Sequence, residues 1–521
     1  MLYALHEAAY RNSAPIRVVA EMTRDFWRSP INPAGDSHIG RTLYASSDLL
    51  ANLTRRYFKP AWNIDQVVVN GRMVRVTCET AWRSAWVKLL HFRRDPGGLA
   101  EAGAAADAPA VLIVAPLSGH FATLLRGTVE TFLADHDVWV TDWSNARDVP
   151  ILEGRFGFHD YIDTIREALR HIGRRAHVVA VCQPGPPVLA AAALMAEEQD
   201  PLRPASLTFM GSPIDARLSP TVTNRLAEER PFAWFKSNMI HTVPWPYAGT
   251  LRRVYPGFVQ LYSFMSMNAD MHREAHRRYF DHMVGGDGDS ADKHRQFYDE
   301  YLSVLDLTEE FYLETVDIVF QNHLLPKGEL VHHGRRVDPA ALVDVGVMTV
   351  EGENDDISGV GQTQAAHGLC VNVPDDMREL YVQPGVGHYG VFNGRRFAQE
   401  IYPRVRGFVA AREAGLYTFS SGVTAAHGPV STAVRRWPAT RYRRRRGAPQ
   451  GECPRPADLP AHRPAGRGSH RRRPVASPSA GSRRLRQVAT GVADLASSRA
   501  AGRSCLAAGR YPVGLWGALP A

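Results

Sequence analysis

Between Val111 and Met210 short apolar runs alternate with stretches of helical spacing, and this alternation constrains the chain more than any other feature. The run Val111–Val114 has no polar face, a pattern suited to a strand covered on both sides by helices. A helix over Phe121–Phe132 follows, then the strand Asp137–Thr141 and a helix over Tyr161–His171. The strand His177–Val181, a helix over Val188–Glu197 and the strand Ser206–Met210 continue the series. Repeated units of this length imply an α/β fold with a doubly wound, mostly parallel sheet. The alternation lapses near residue 213. It resumes with the strand Val347–Val350, a helix over Gln362–Leu369, the strand Arg378–Val382 and a last helix over Arg395–Arg412. The core then comprises residues 110–212 and 340–412. The interval 213–339, rich in helix formers and in aromatics such as Phe232, Trp234, Trp245 and Tyr262, reads as an inserted helical cap.

The flanks read differently. Residues 1–95 form a helical opening joined to the core through hairpin strands, with Asn70-Gly71 as the two-residue turn. Residues 96–109, almost all small, read as a linker with nothing to pack. From residue 415 to 521 the chain is rich in Arg, Pro, Gly, Ala and Ser without period, which predicts a disordered C-terminal tail. The net charge of +8 belongs to that tail: its 19 arginines and three acids give +16 and leave −8 to the remainder. No recognition fold accompanies the arginines, so no specific nucleic-acid partner is expected. No apolar run is long enough to span a membrane, and no secretory signal pattern opens the chain. Five cysteines, odd in number and far apart, fit a reducing cytoplasm better than a disulfide framework.

In such sheets reactive groups gather at the carboxyl ends of the strands. The strand His177–Val181 runs directly into Cys182, and a helix begins shortly after, so a nucleophile there would sit on a sharp strand-to-helix turn. The usual elbow pattern is G-x-S-x-G. Here the segment reads Ala180-Val181-Cys182-Gln183-Pro184, in which Ala180 permits a tight turn and Pro184 is the less comfortable replacement. A cysteine at a strand end is, taken alone, more often an inert core thiol. Two further strand ends shift that balance. Glu351 to Ile357 supplies an acid, with Asp355 preferred over its neighbour Asp356, and His388 stands among glycines after the strand Arg378–Val382. The order nucleophile, acid, base is that of α/β-hydrolases. Cys182 would attack a carbonyl, His388 would act as base and Asp355 would orient the imidazole. The oxyanion hole would use the backbone amides of Gln183 and of Leu117 or Ser118. His120 reads as incidental, the Asp287–Asp292 segment as a polar turn, and His332-His333 as an exposed loop without ligand partners.

At these residues the chain resembles the intracellular polyhydroxyalkanoate (polyhydroxybutyrate) depolymerases. The segments that carry the resemblance are Ala115–Gly127, Ala180–Pro184, Val350–Thr363 and Gln383–Gly394, and it extends over roughly residues 1–412. The resemblance implies an α/β-hydrolase fold and cleavage of amorphous poly(3-hydroxybutyrate) by a Cys–Asp–His triad, which falls on Cys182, Asp355 and His388. It also implies a cytoplasmic enzyme on storage granules, with the polymer as its partner and no metal or organic cofactor. Two alternatives are a polyhydroxyalkanoate synthase-like acyltransferase, whose elbow resembles G-x-C-x-G-G, and an inert granule-surface binding protein.

Overall fold

A computed structural model of the chain describes residues 2–267 and 269–421. The expected tail lies outside the described residues from residue 422 onward. Its first residues, 415–421, instead continue the helix Tyr402–Ser421.

Nine strands form one sheet: β1 (Gln66–Val69), β2 (Arg72–Arg83), β3 (Val87–Arg94), β4 (Ala110–Val114), β5 (Asp137–Trp143), β6 (His177–Val181), β7 (Ser206–Met210), β8 (Gly346–Gly352) and β9 (Arg378–Gln383). Their spatial order is β1-β2-β3-β5-β4-β6-β7-β8-β9. The first three pair antiparallel, and β3 also runs antiparallel to β5. Every later pairing is parallel. The exchange of β4 and β5 and the run of parallel strands after it give the α/β-hydrolase fold. It is a doubly wound sheet whose crossovers carry helices. The expected all-apolar strands are where the sheet is most deeply covered: every residue of β4, β6 and β7 is buried. Burying each large aliphatic side chain there contributes about 1.5–3 kcal/mol.

The opening is helical, with Leu2–Asn12, Ala14–Arg28 and His38–Thr54. Asn70 and Gly71 join β1 to β2 at φ 48° and 81°. Such a pair of positive angles matches the twist of a two-residue hairpin, and Asn and Gly tolerate it best. The stretch 96–109 does more than link. Asp95 accepts from the Gly98 amide at 2.7 Å and caps a short helix, Pro96–Glu101, whose Leu99 is buried. One large apolar residue among small ones was enough to anchor it.

Residues 213–339 contain the helices Val222–Glu229, Phe232–Asn238, Gly257–Met267, Ala269–Gly285 and Gly288–Tyr301. They also contain a small three-stranded sheet, formed by His241–Thr242, Arg253–Tyr255 and Leu307–Thr308. The Asp287 segment is a helix start rather than a free turn: Asp287 accepts from the Ser290 amide at 3.1 Å. The insertion is tied to the opening by a buried pair, Tyr3 Oη donating to Asp306 Oδ2 at 2.7 Å. The cap aromatics divide. Phe235, Tyr255 and Tyr279 are buried, whereas Trp245, Tyr262 and Phe232 are exposed. No helix among the described residues is long and apolar enough to cross a membrane.

Candidate active site

The strand β6 ends at Val181, and the helix Gly185–Glu197 begins four residues later. Cys182 absorbs the change of direction with φ 67°, a conformation that costs a residue with a Cβ about 1–2 kcal/mol. Its amide donates to Met210 O at 2.8 Å, and its carbonyl accepts from Gly185 N at 3.2 Å. Pro184 sits at the helix start with φ −68°, where proline needs no amide partner and its fixed angle suits the turn. The replacement expected to be uncomfortable is accommodated there. Ala180 is fully buried, so the smallest side chain with a Cβ suffices where the usual pattern has glycine.

His388 opens a short helical turn after β9 and is buried. Its Nδ1 donates to Asp355 Oδ2 at 2.8 Å. The other oxygen of Asp355 accepts from the amides of Ile357 at 2.9 Å and Ser358 at 2.8 Å, which fixes the carboxylate. Asp356 is exposed. Burial opposes a charge on His388, yet the neighbouring Cys182 and Asp355 hold its pKa well above the ordinary imidazole value. The three strand-end residues singled out in the sequence therefore form one electrostatic group. Gly211, after β7, makes room for it. Its φ is 57°, and a Cβ there would lie 3.1 Å from His388 Cε1 and 3.2 Å from Asp355 Oδ2.

The loop after β4 is held from both sides. Ala115 O accepts from Trp143 Nε1 at 2.8 Å and Tyr161 Oη at 3.1 Å, while Gly119 O accepts from Leu305 N of the insertion at 2.7 Å. His120 is a structural link rather than an incidental loop residue. It is buried, lies 3.0 Å through Nε2 from Tyr301 O, and burial pushes its pKa down to about 4. Ser118 is half-buried. Leu117 departs from expectation, because its amide donates to Gln183 Oε1 at 3.3 Å. The Gln183 side chain thus spans the two expected oxyanion donors, and its Nε2 is buried without a hydrogen-bond partner in the protein. The sequence pointed only to the backbone of Gln183. The two positions are 66 residues apart, and no local signal could pair them.

Glu351 was also missed as a separate part. It lies at the end of β8, fully buried, and its carboxylate accepts from the amides of Gly361, Thr363 and Gln364 at 2.8–3.1 Å. The Gln364 side-chain amide adds a bond at 2.6 Å. One carboxylate closes the loop that carries Asp355. Replacing Glu351 by alanine leaves those donors unpaired and is expected to cost about 3 kcal/mol or more. A fall in the urea midpoint, followed by fluorescence, checks it.

His332 and His333 do not lie on a loop without partners. The short hairpin Val331–His332 and Arg335–Arg336 packs both rings onto Asp163 of the helix Phe158–Ile172. Among the described residues Cys78, Cys182 and Cys370 are free thiols. Cys370 is buried, and burial pushes it up to about 12.

Residues 211–413 match the family model described as PHB de-polymerase C-terminus. This segment is similar to that family. It holds Asp355 and His388, whereas Cys182 precedes it. None of the curated proteins compared matches the chain. Among solved structures, the monoacylglycerol lipase of Paleococcus ferrophilus is similar at 11% identity and TM-score 0.33, over 58% of this chain and 96% of that one. A carboxylesterase of Nitrososphaera gargenis is similar at 14% identity and TM-score 0.35, over 65% of this chain and 100% of that one. A putative lipase from Acinetobacter baumannii is similar at 12% identity and TM-score 0.33, over 66% and 93%. The fold assignment rests on the strand order, and the family segment supports ester hydrolysis as the reaction class.

Proposed function

We propose that this chain hydrolyses the ester bonds of amorphous poly(3-hydroxybutyrate)-type polyester through an acyl-enzyme on Cys182. The observation that carries the reading is the 2.8 Å contact of His388 with Asp355 in a group that includes Cys182 on a strained elbow. The depolymerase-family segment supports the substrate.

In the reaction Cys182 Sγ, as thiolate, attacks the ester carbonyl and forms a C–S bond. The charge moves to the carbonyl oxygen, where the Gln183 amide and the amide of Leu117 or Ser118 receive it. For Leu117 to take part, Gln183 Oε1 gives up its bond to the Leu117 amide. Collapse breaks the C–O bond, and the His388 imidazolium protonates the departing alkoxide, which leaves as the alcohol end of the polymer. Water, deprotonated by His388, then cleaves the thioester and releases the acid. Asp355 keeps Nδ1 protonated and stabilises the cation in both halves. The enzyme works at the granule surface in the cytoplasm.

The test is incubation of native amorphous granules with the wild type and with Cys182→Ala, following release of 3-hydroxybutyrate and its oligomers. Release by the wild type alone supports a thiol-dependent depolymerase. Equal release by both removes Cys182 from the chemistry. Polymer growth from a hydroxyacyl-CoA, without release, points to the acyltransferase. Granule binding without either reaction leaves an inert surface protein.

A further inference from the structure

Away from the triad, four side chains from two distant parts of the chain meet at one place. Asp163 and His159 lie one turn apart on the helix Phe158–Ile172. His332 and His333 come from the hairpin at the end of the insertion. His332 Nε2 is 2.9 Å from Asp163 Oδ1, and His333 Nε2 is 2.7 Å from Asp163 Oδ2. His332 is buried and His333 is largely exposed, so the group has one closed side and one open to solvent. The ligand atoms of the three residues all lie within 4.8 Å of one another.

We infer that Asp163, His332 and His333 form a binding site for a divalent transition metal, with zinc as the best match. Two imidazoles, one carboxylate and a water complete a tetrahedron of the kind zinc favours, with bonds of about 2.0–2.2 Å. Those bonds place tetrahedral ligand atoms about 3.3 Å apart. The 2.9 and 2.7 Å spacings end on different oxygens of Asp163, so the spacing to whichever oxygen binds the ion opens by about half an ångström, while the remaining ligand spacings, all within 4.8 Å, adjust by rotation of the exposed His333 ring and the half-exposed carboxylate. No proton has to be lost. In the metal-free form Nε2–H of each neutral ring donates to Asp163, and on binding that proton sits on Nδ1 instead. For His332 that proton points at His159 Nδ1, 3.1 Å away, which accepts it once the proton of His159 moves to its own Nε2. A hydrogen bond from the far ring nitrogen is what orients metal-bound histidines, which makes His159 a positioning residue. Arg166 Nη1, 3.7 Å from Asp163 Oδ1, is the cation that competes for the carboxylate. The nearby Arg335 is occupied by Glu197 and Glu198. A bound ion would clamp the end of the insertion to the sheet's covering helix. It would stabilise the fold without entering the ester chemistry.

The test is calorimetric titration of the full chain, free of any polyhistidine tag and stripped with chelator, with zinc chloride. His333→Ala is the deciding variant, because that ring is exposed and its removal leaves the fold intact, as circular dichroism checks. Cys182→Ala is run beside it, because a free thiol such as that of Cys182 can itself bind zinc. The expected result is one saturable site in the wild type and in Cys182→Ala, and none in His333→Ala. His159→Ala should weaken the site by about 10- to 100-fold. Saturating zinc should raise the melting temperature of the wild type by about 3 °C and leave His333→Ala unmoved. No saturable binding by the wild type, or the same binding by His333→Ala, overturns the inference and leaves a hydrogen-bonded clip. Neither outcome bears on the depolymerase reading, which is tested on granules.

Discussion

Cys182→Ala is expected to lower kcat/KM for a soluble butyrate ester by at least about four orders of magnitude, while leaving the urea midpoint close to that of the wild type. The size follows from the role. Without Sγ no acyl-enzyme forms, and what remains is the modest rate that oxyanion donors and positioning give to water. Stability should hold, because the elbow's backbone bonds to Met210 and Gly185 do not use the thiol. Alkylation provides a second readout. Iodoacetamide should inactivate the wild type in step with modification of Cys182, with Cys370 buried and pushed up to about 12. Full activity after complete modification of Cys182 would remove it as the nucleophile.

Asp355→Asn carries the second large effect, a fall in kcat of about 10⁴-fold. An amide at this position turns the imidazole toward the wrong tautomer and removes the charge that faces its cation. Asp356→Asn should stay within about threefold of the wild type, because Asp356 is exposed and His388 meets Asp355. Interchanged results would move the acid to Asp356. The same substitution has a pH signature. Burial works against the His388 cation, but Cys182 and Asp355 together raise its folded value above the unfolded value of about 6.5. A raised group stabilises the fold below the unfolded value and loses that contribution as pH climbs through the folded one. Asp355→Asn removes one raising partner. The gap in urea midpoint between the two proteins should therefore be widest near pH 6 and narrow toward alkaline pH.

The strands were legible because burial on both faces leaves an unbroken apolar run. β6 and β7 begin and end where composition places them. The hairpin was legible because Asn-Gly is the pair that accepts two positive φ angles. The short helix Pro96–Glu101 escaped because its one anchor, Leu99, acquires meaning only against the sheet. The helical overrun to Ser421 escaped because composition marks a boundary less sharply than backbone hydrogen bonding does.

The alternation that builds the sheet, the positions of Cys182, Asp355 and His388 at three strand ends, and their order along the chain were all written in local residue patterns. These are local or periodic properties, and a single chain displays them without its partners. Tertiary structure alone decided which carboxylate faces His388, since Asp355 and Asp356 are neighbours and only the packed loop turns one inward. It likewise decided that the Gln183 side chain meets the Leu117 amide, that Glu351 closes its loop, and that His332 and His333 meet Asp163, 169 and 170 residues away. Such contacts depend on chain closure over long separations, and no spacing rule along the sequence records them.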